Sequence, residues 1–202
     1  MELERRYVTA ATLEVRRSNG KTRLEGYAVR YESLSEDMGF RERIERGAFS
    51  KHLRSDPDVR ALVEHDPARI VGRTTSGTLQ LIEDDSGVKA SIDPPESQIG
   101  NDLVESVRRG DLSGMSFGFR ALNDSWGIVD GESVRTIHEA ELFDVSITAF
   151  PSYPDTTVAV RSLDRWRKES QSMSEVTTQL ETPKSGRRSL LHRSRRHRKH
   201  PR

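Results

Sequence analysis

Apolar and polar residues alternate in short runs through the first 160 positions of this 202-residue chain, and the runs are parted by Gly, Asp, Ser and Pro. A period of two is the signature of strands with one buried face, so the pattern predicts a mainly β fold. The predicted strands are Val8–Arg16, Thr22–Tyr31, Val59–His65, Gly77–Glu83, Val88–Asp93, Met115–Leu122, Val134–His138 and Leu142–Ala149. Turn signals fall at Ser18-Asn19-Gly20, Asp84-Asp85-Ser86-Gly87 and Val129-Asp130-Gly131. Six to eight such strands imply a closed or nearly closed sheet. Two segments switch to helical spacing. Ile99, Leu103, Val104 and Val107 share one side of a helix over Ile99–Arg109, with Gly110 placed to cap it, and Phe49 and Leu53 suggest a shorter helix within Gly47–Ser55.

Charge divides the chain further. Nine of the 33 Lys/Arg and none of the 32 Asp/Glu lie between Lys184 and Arg202, so a whole-chain charge of +1 hides a body of about −8. The tail has too little apolar surface to order itself. The expected organisation is therefore one domain over residues 1–160, then a linker or loose amphipathic helix and a disordered basic tail over 161–202. With no cysteine, disulfides, thiolate metal sites and a Cys nucleophile are excluded together. Charges at Glu2, Glu4, Arg5 and Arg6 break any secretory signal, and no apolar run approaches a membrane span, so a soluble cytoplasmic protein is expected.

Three segments carry residues suited to chemistry. Gly114-Met115-Ser116-Phe117-Gly118-Phe119 satisfies G-x-S-x-G, yet no helix follows it as a nucleophile elbow requires, so Ser116 is read as a strand residue. On that strand Met115, Phe117 and Phe119 would anchor in the core, leaving Ser116 and Gly118 to line open space. In Val63-Glu64-His65-Asp66-Pro67 a strand ends in a turn that places an imidazole where it can titrate and reach a neighbour. In Leu142-Phe143-Asp144-Val145-Ser146-Ile147-Thr148 the expected apolar face is Phe143, Val145 and Ile147, which turns Asp144, Ser146 and Thr148 to a polar face like that of Ser116. An acid there could orient a histidine, and Glu139, Glu141 and His138 are rivals for that role. Each segment alone also fits an ordinary half-buried strand or a surface turn. No P-loop, G-x-G-x-x-G or H-E-x-x-H is present, so neither nucleotide nor zinc chemistry is indicated and no cofactor or metal is expected.

Taken in order, these segments resemble the prohead proteases of HK97-type phages from roughly Leu24 to Val160. Gly26-Tyr27-Ala28 and Ile44-Glu45-Arg46-Gly47-Ala48-Phe49 are similar to the family's opening stretch. Glu64-His65-Asp66-Pro67 with Val71-Gly72-Arg73 resembles its histidine motif, with Glu64 in place of an expected Asn. Ser113 to Phe119 resembles its serine motif, and Leu142 to Ser146 with Ala149-Phe150-Pro151-Ser152-Tyr153-Pro154 its closing motif. The resemblance implies an α+β fold like the herpesvirus assembly proteases, a β-barrel flanked by a few helices. It also implies a serine endopeptidase using Ser116, His65 and Asp144. Such chemistry needs an oxyanion site, for which Arg120 and backbone amides near Gly118 are candidates. Scaffold and major coat protein would be the substrates, along with the protease itself, inside an assembling prohead in the host cytoplasm. A homodimer would follow by the same analogy. Two other readings stand beside it: an inactive scaffold-associated protein of the same fold, and nucleic-acid binding through the basic tail.

Overall fold

A computed structural model describes residues 3–8, 13–18, 20–149 and 157–181. The chain is mainly β with a few helices, as the alternation predicts. Its order is β1 (Glu4–Val8), β2 (Glu14–Ser18), β3 (Lys21–Arg30), β4 (Arg41–Ile44), α1 (Ser50–Leu53), β5 (Arg60–Val63), β6 (Asp66–Arg73), β7 (Leu79–Asp84), β8 (Gly87–Ile92), α2 (Gln98–Arg109), β9 (Gly114–Val129), β10 (Glu132–Thr148) and α3 (Thr157–Glu181). By internal contacts the chain divides into Met1–Asp164 and Arg165–Arg202. Core and candidate site belong to the first unit; in the second, α3 continues to Glu181. The tail from residue 182 and the Phe150–Pro154 part of the closing motif lie outside the described residues.

The strands form two sheets and do not close into one barrel. One sheet runs β1-β9-β10-β5-β6 with β4 also paired to β10, and the other runs β2-β3-β8-β7. The expected strand Val8–Arg16 is two strands, because Val8 ends β1 in the first sheet while Glu14 begins β2 in the second. Strand β10 explains how the first sheet is assembled. Its Val134–Ile137 stretch pairs in parallel with β4, its Asp144–Ile147 stretch pairs in parallel with β5, and its other edge pairs antiparallel with β9. The hairpin joining β9 to β10 turns at Asp130-Gly131, both with positive φ (52° and 84°), the backbone that a two-residue turn demands and that Asp-Gly supplies cheaply.

One apolar core joins the sheets. Met115, Phe117 and Phe119 of β9, Leu142, Val145 and Ile147 of β10, and Leu24, Val29, Val88 and Ile92 of the second sheet are all buried in it. Phe49, just before α1, meets Phe117 and Phe119 edge-on at 6.1 and 6.4 Å. Helix α2 buries Leu103 and Val107, and it ends as its sequence predicts. Gly110 is left-handed (φ 82°), its N–H reaches the Val107 carbonyl, and the Asp111 N–H reaches that of Ser106.

A charged cluster is buried alongside this core. Arg6 of β1 grips Glu42 of β4 through Nε and Nη2 (2.7 and 3.0 Å) and donates to Glu4 at 2.8 Å. Arg135 of β10 donates to Glu4 (2.7 Å), Glu42 (3.1 Å) and Asp124 of β9 (2.8 Å). Burial alone would lower the Arg135 pKa, but Glu4, Glu42 and Asp124 outweigh it and hold the guanidinium above its usual value. Four strands are thereby tied at one place. Removing one partner from such a cluster strands the others without compensation, so Glu42→Ala is expected to cost about 3–5 kcal/mol of unfolding free energy. Urea unfolding measures it, and a loss under about 1 kcal/mol would mean that the cluster is weaker than its burial implies.

Candidate active site

Ser116 sits in the middle of a four-strand row. It pairs with Tyr7 of β1 on one side and with Ser146 of β10 on the other, and β5 pairs with β10 beyond that. Side chains alternate along β9, so Ser116 faces away from the core packed by Met115 and Phe117. A bulge between Leu142 and Asp144 sets the face of the acid. Because of the extra residue, the inward positions are Leu142, Val145 and Ile147; Phe143, expected inside, is half-exposed. Asp144 lies opposite Gly118, and Ser146 lies opposite Ser116.

His65 reaches this face over the end of β10. Val63 pairs with Asp66, so Glu64 and His65 are the two central residues of a tight hairpin, and both have φ of 55°. Such a turn needs positive φ at both positions and normally uses Asn or Gly. Here the geometry is held by other bonds. The Glu64 N–H donates to the Ile147 carbonyl (3.1 Å), and the Ala149 N–H donates to Glu64 Oε1 (2.7 Å). At the base of the hairpin Arg73 grips Asp58 and holds its carboxyl down at about 2. Asp66 and Pro67, expected in the turn, already belong to β6, where Asp66 accepts the Ala68 N–H.

The result is a continuous hydrogen-bonded chain. His65 Nδ1 lies 2.6 Å from Asp144 Oδ1, and His65 Nε2 lies 2.6 Å from Ser116 Oγ. The pattern fits a neutral ring whose Nδ1–H donates to the carboxylate and whose Nε2 accepts the serine proton. Two further groups complete it. Ser146 Oγ donates to Asp144 Oδ1 (2.9 Å) and stands 3.1 Å from His65 Nδ1, while the Arg6 carbonyl, 2.9 Å from Ser116 Oγ, is a second acceptor for the one serine proton. His65, Ser116, Asp144 and Ser146 are all buried.

Both glycines beside the serine are occupied from neighbouring strands. A Cβ at Gly118 would lie 2.2 Å from Asp144 Oδ2, and a Cβ at Gly114 would lie 2.1 Å from the Tyr7 hydroxyl. The space expected to lie open beside Ser116 is therefore filled by a carboxylate on one side and a phenol on the other. Gly118 makes room for the acid. Arg120, the other oxyanion candidate, stacks over Phe143 and pairs through Nη1 with Glu141 at 3.3 Å, while its Nε is buried without a hydrogen-bond partner.

The rivals for the third position are engaged elsewhere. Glu139 pairs with Lys51 at 2.8 Å. His138 forms a second serine–histidine–acid arrangement, with Nε2 2.7 Å from Ser125 Oγ and Nδ1 2.6 Å from Glu45 Oε2. Its Glu45 side chain is 51% exposed, so water competes for these bonds and weakens their hold on the ring. A cleft of about 440 Å³ lies beside the hairpin that carries His65, lined by Val63, Arg69, Gln98, Asp102 and Ser106 among others. Among the described residues no cluster of three or more His, Asp or Glu could hold a metal ion, and no helix is long and apolar enough to cross a membrane. Sequence reasoning missed Ser146, Tyr7 and the Arg6 carbonyl as neighbours of the site. The alternation along β10 did put Ser146 on the right face, but nothing in the sequence paired β1 with β9.

No curated protein matches the chain. The structure is similar to that of the bacteriophage T4 capsid assembly protease, gp21, with a TM-score of 0.53 at 13% identity, over 75% of this chain and 100% of that one. A sequence model of the caudovirus prohead serine proteases matches residues 11–169, the stretch that contains the serine, histidine and aspartate segments. The chain belongs to the caudovirus prohead serine protease family.

Proposed function

We propose that the protein is a serine endopeptidase of prohead maturation, with Ser116 as nucleophile, His65 as general base and Asp144 as the group that orients the ring. The observation that carries this reading is the buried chain from Asp144 Oδ1 through both nitrogens of His65 to Ser116 Oγ, with each link 2.6 Å. A serine hydroxyl is a weak nucleophile until a base takes its proton as the bond to carbon forms. His65 Nε2 accepts that proton while Oγ attacks a peptide carbonyl, then returns it to the departing amine, leaving an acyl-enzyme. Water, deprotonated by the same nitrogen, releases the acid. Asp144 stabilises the imidazolium formed in each half, and Ser146 holds the carboxylate that does so.

Phage scaffold and the N-terminal segment of the major coat protein are the proposed substrates, with the protease's own chain as a third. Family membership supports capsid proteins as the class. Enclosure in a prohead would raise the effective concentration of enzyme and substrates together.

Co-expression with scaffold and coat protein tests the assignment. Ser116→Ala and His65→Ala are each expected to abolish trimming, a loss on the order of 10⁶-fold in rate. Ser125→Ala, in the exposed trio, is expected to leave trimming intact. If S116A still trims, the nucleophile is wrong; if only S125A fails, the exposed trio is the site; and if the unaltered protein trims nothing and takes no acylating reagent, it is an assembly protein that kept the fold. Gly118→Ala gives a sharper check on geometry, because its Cβ would collide with the Asp144 carboxylate. Displacing the acid by about 1 Å is expected to slow trimming about 10²-fold. The downfield Nδ1–H proton resonance of His65 should vanish in the same variant; an unchanged resonance with unchanged activity would show that Asp144 does not depend on that space.

A further inference from the structure

Attack by Ser116 leaves negative charge on the former carbonyl oxygen, and that oxygen needs a donor waiting for it. The strand that carries Ser116 is paired on both sides, with β1 and with β10, so its amides serve the sheet ladders. A donor on this face has to come from a side chain or from another segment. Thr148 meets the requirement. It follows Ser146 by two positions on β10, lies opposite Gly114, and so shares the face of Ser116, Asp144 and Ser146. The residue is 0% exposed, and its Oγ1 has no hydrogen-bond partner.

A buried hydroxyl without a partner is an anomaly, since folding has removed its water and replaced it with nothing. Its neighbours suggest what the hydroxyl is kept for. Gly114, opposite Thr148 and two positions before Ser116, brings no side chain to this face, and the phenol of Tyr7 leans over that glycine. Tyr7 is paired opposite Ser116 on an edge strand and is only part-buried, so the subsite opens if its phenol turns toward solvent. We infer that the Thr148 hydroxyl is the oxyanion donor of this enzyme, in a subsite that Tyr7 closes at rest. The inference rests on Ser116 being the nucleophile. As the Oγ–C bond forms, the carbonyl π pair moves onto oxygen, the serine proton passes to His65 Nε2, and the Thr148 O–H donates to the oxyanion. Collapse restores the carbonyl and expels the amine, which takes the proton back from His65.

Thr148→Val tests this in the full-length protein, because valine keeps the shape and removes only the donor. A merely structural threonine would lower the melting temperature when replaced. An unpartnered hydroxyl predicts a melting temperature equal to or above that of the unaltered protein. The rate of Ser116 acylation by an alkyl fluorophosphonate, followed by intact mass, is expected to fall about 10²-fold in T148V. Thr148→Ser, which keeps the donor, is expected to recover most of it. Acylation of T148V at the unaltered rate overturns the inference, as does a slowed rate that comes with a lower melting temperature and is not rescued by T148S. Failure of the unaltered protein to be labelled at Ser116 overturns the nucleophile assignment, and this inference with it.

Discussion

His65 can meet Ser116 only because two consecutive residues hold the left-handed backbone. A non-glycine residue in that region is strained, and a pair in succession is more so. Any relaxation of Glu64 and His65 toward ordinary extended backbone would carry the imidazole off the face of β10. The strain is offset by bonds that exist only in the folded state. Ile147 and Ala149, which lie across from the turn, bond the backbone and carboxylate of Glu64. This gives Glu64 a use that the Asn expected from family resemblance would fill differently. Asn lowers the cost of the left-handed backbone by itself, whereas Glu accepts that cost and reaches a longer distance to tie the turn down.

A second constraint acts from the opposite edge of the sheet. Strand β1 lies at the edge, only five residues long, and short edge strands are the first to fray. Arg6 counters this by placing its guanidinium among Glu4 and Glu42, close to Arg135, while its carbonyl accepts the hydroxyl of Ser116. One residue thus joins the charge cluster to the proposed nucleophile. The serine has a single proton and two acceptors, His65 Nε2 and the Arg6 carbonyl. With the ring neutral the proton belongs toward His65. Once the ring is protonated, Nε2–H can donate to Oγ and the serine proton has the carbonyl to turn to. Neither protonation state leaves a buried polar atom of the pair unsatisfied.

The parts of this molecule that follow local rules were legible in its residues. The Ile99–Arg109 helix and its Gly110 cap, the Asp-Gly hairpin and the inward Met115, Phe117 and Phe119 follow from periodicity and turn chemistry alone. What escaped was non-local. Strand β4 reads as Arg-Glu-Arg-Ile, too charged for a buried strand, until Glu42 finds Arg6 and Arg135 from distant positions. Strand β6 contains a proline and buries little, because it is an edge. Asn123, Asp124 and Ser125 look like a turn, yet they stay in β9, with Asp124 bound to Arg135 and Ser125 to His138. The bulge before Asp144 leaves no mark in the sequence, although it decides which of Leu142 and Phe143 is buried. Both glycines that flank Ser116 could be read as permission for something to come close. What comes close, a carboxylate and a phenol, depends on partners that only the sheet order supplies.

Two serine–histidine–acid arrangements in one chain show why distances do not single out a site. The Ser125, His138 and Glu45 trio has bonds of 2.7 and 2.6 Å, against 2.6 Å for both links of Ser116, His65 and Asp144. The difference lies in what surrounds them. In water each exposed bond trades against a solvent bond of similar strength, so the ring gains little orientation and the serine no activation. Around His65 the solvent is gone, the ring is held by two oxygens at Nδ1, and Ser116 is covered by protein. The same enclosure that organises the proton path keeps a polypeptide out. Among the described residues Tyr7 lies on the one strand of the row with a free edge, so access to Ser116 and integrity of β1 are the same question, and the Glu4, Arg6, Glu42 and Arg135 cluster sets how firmly it is answered.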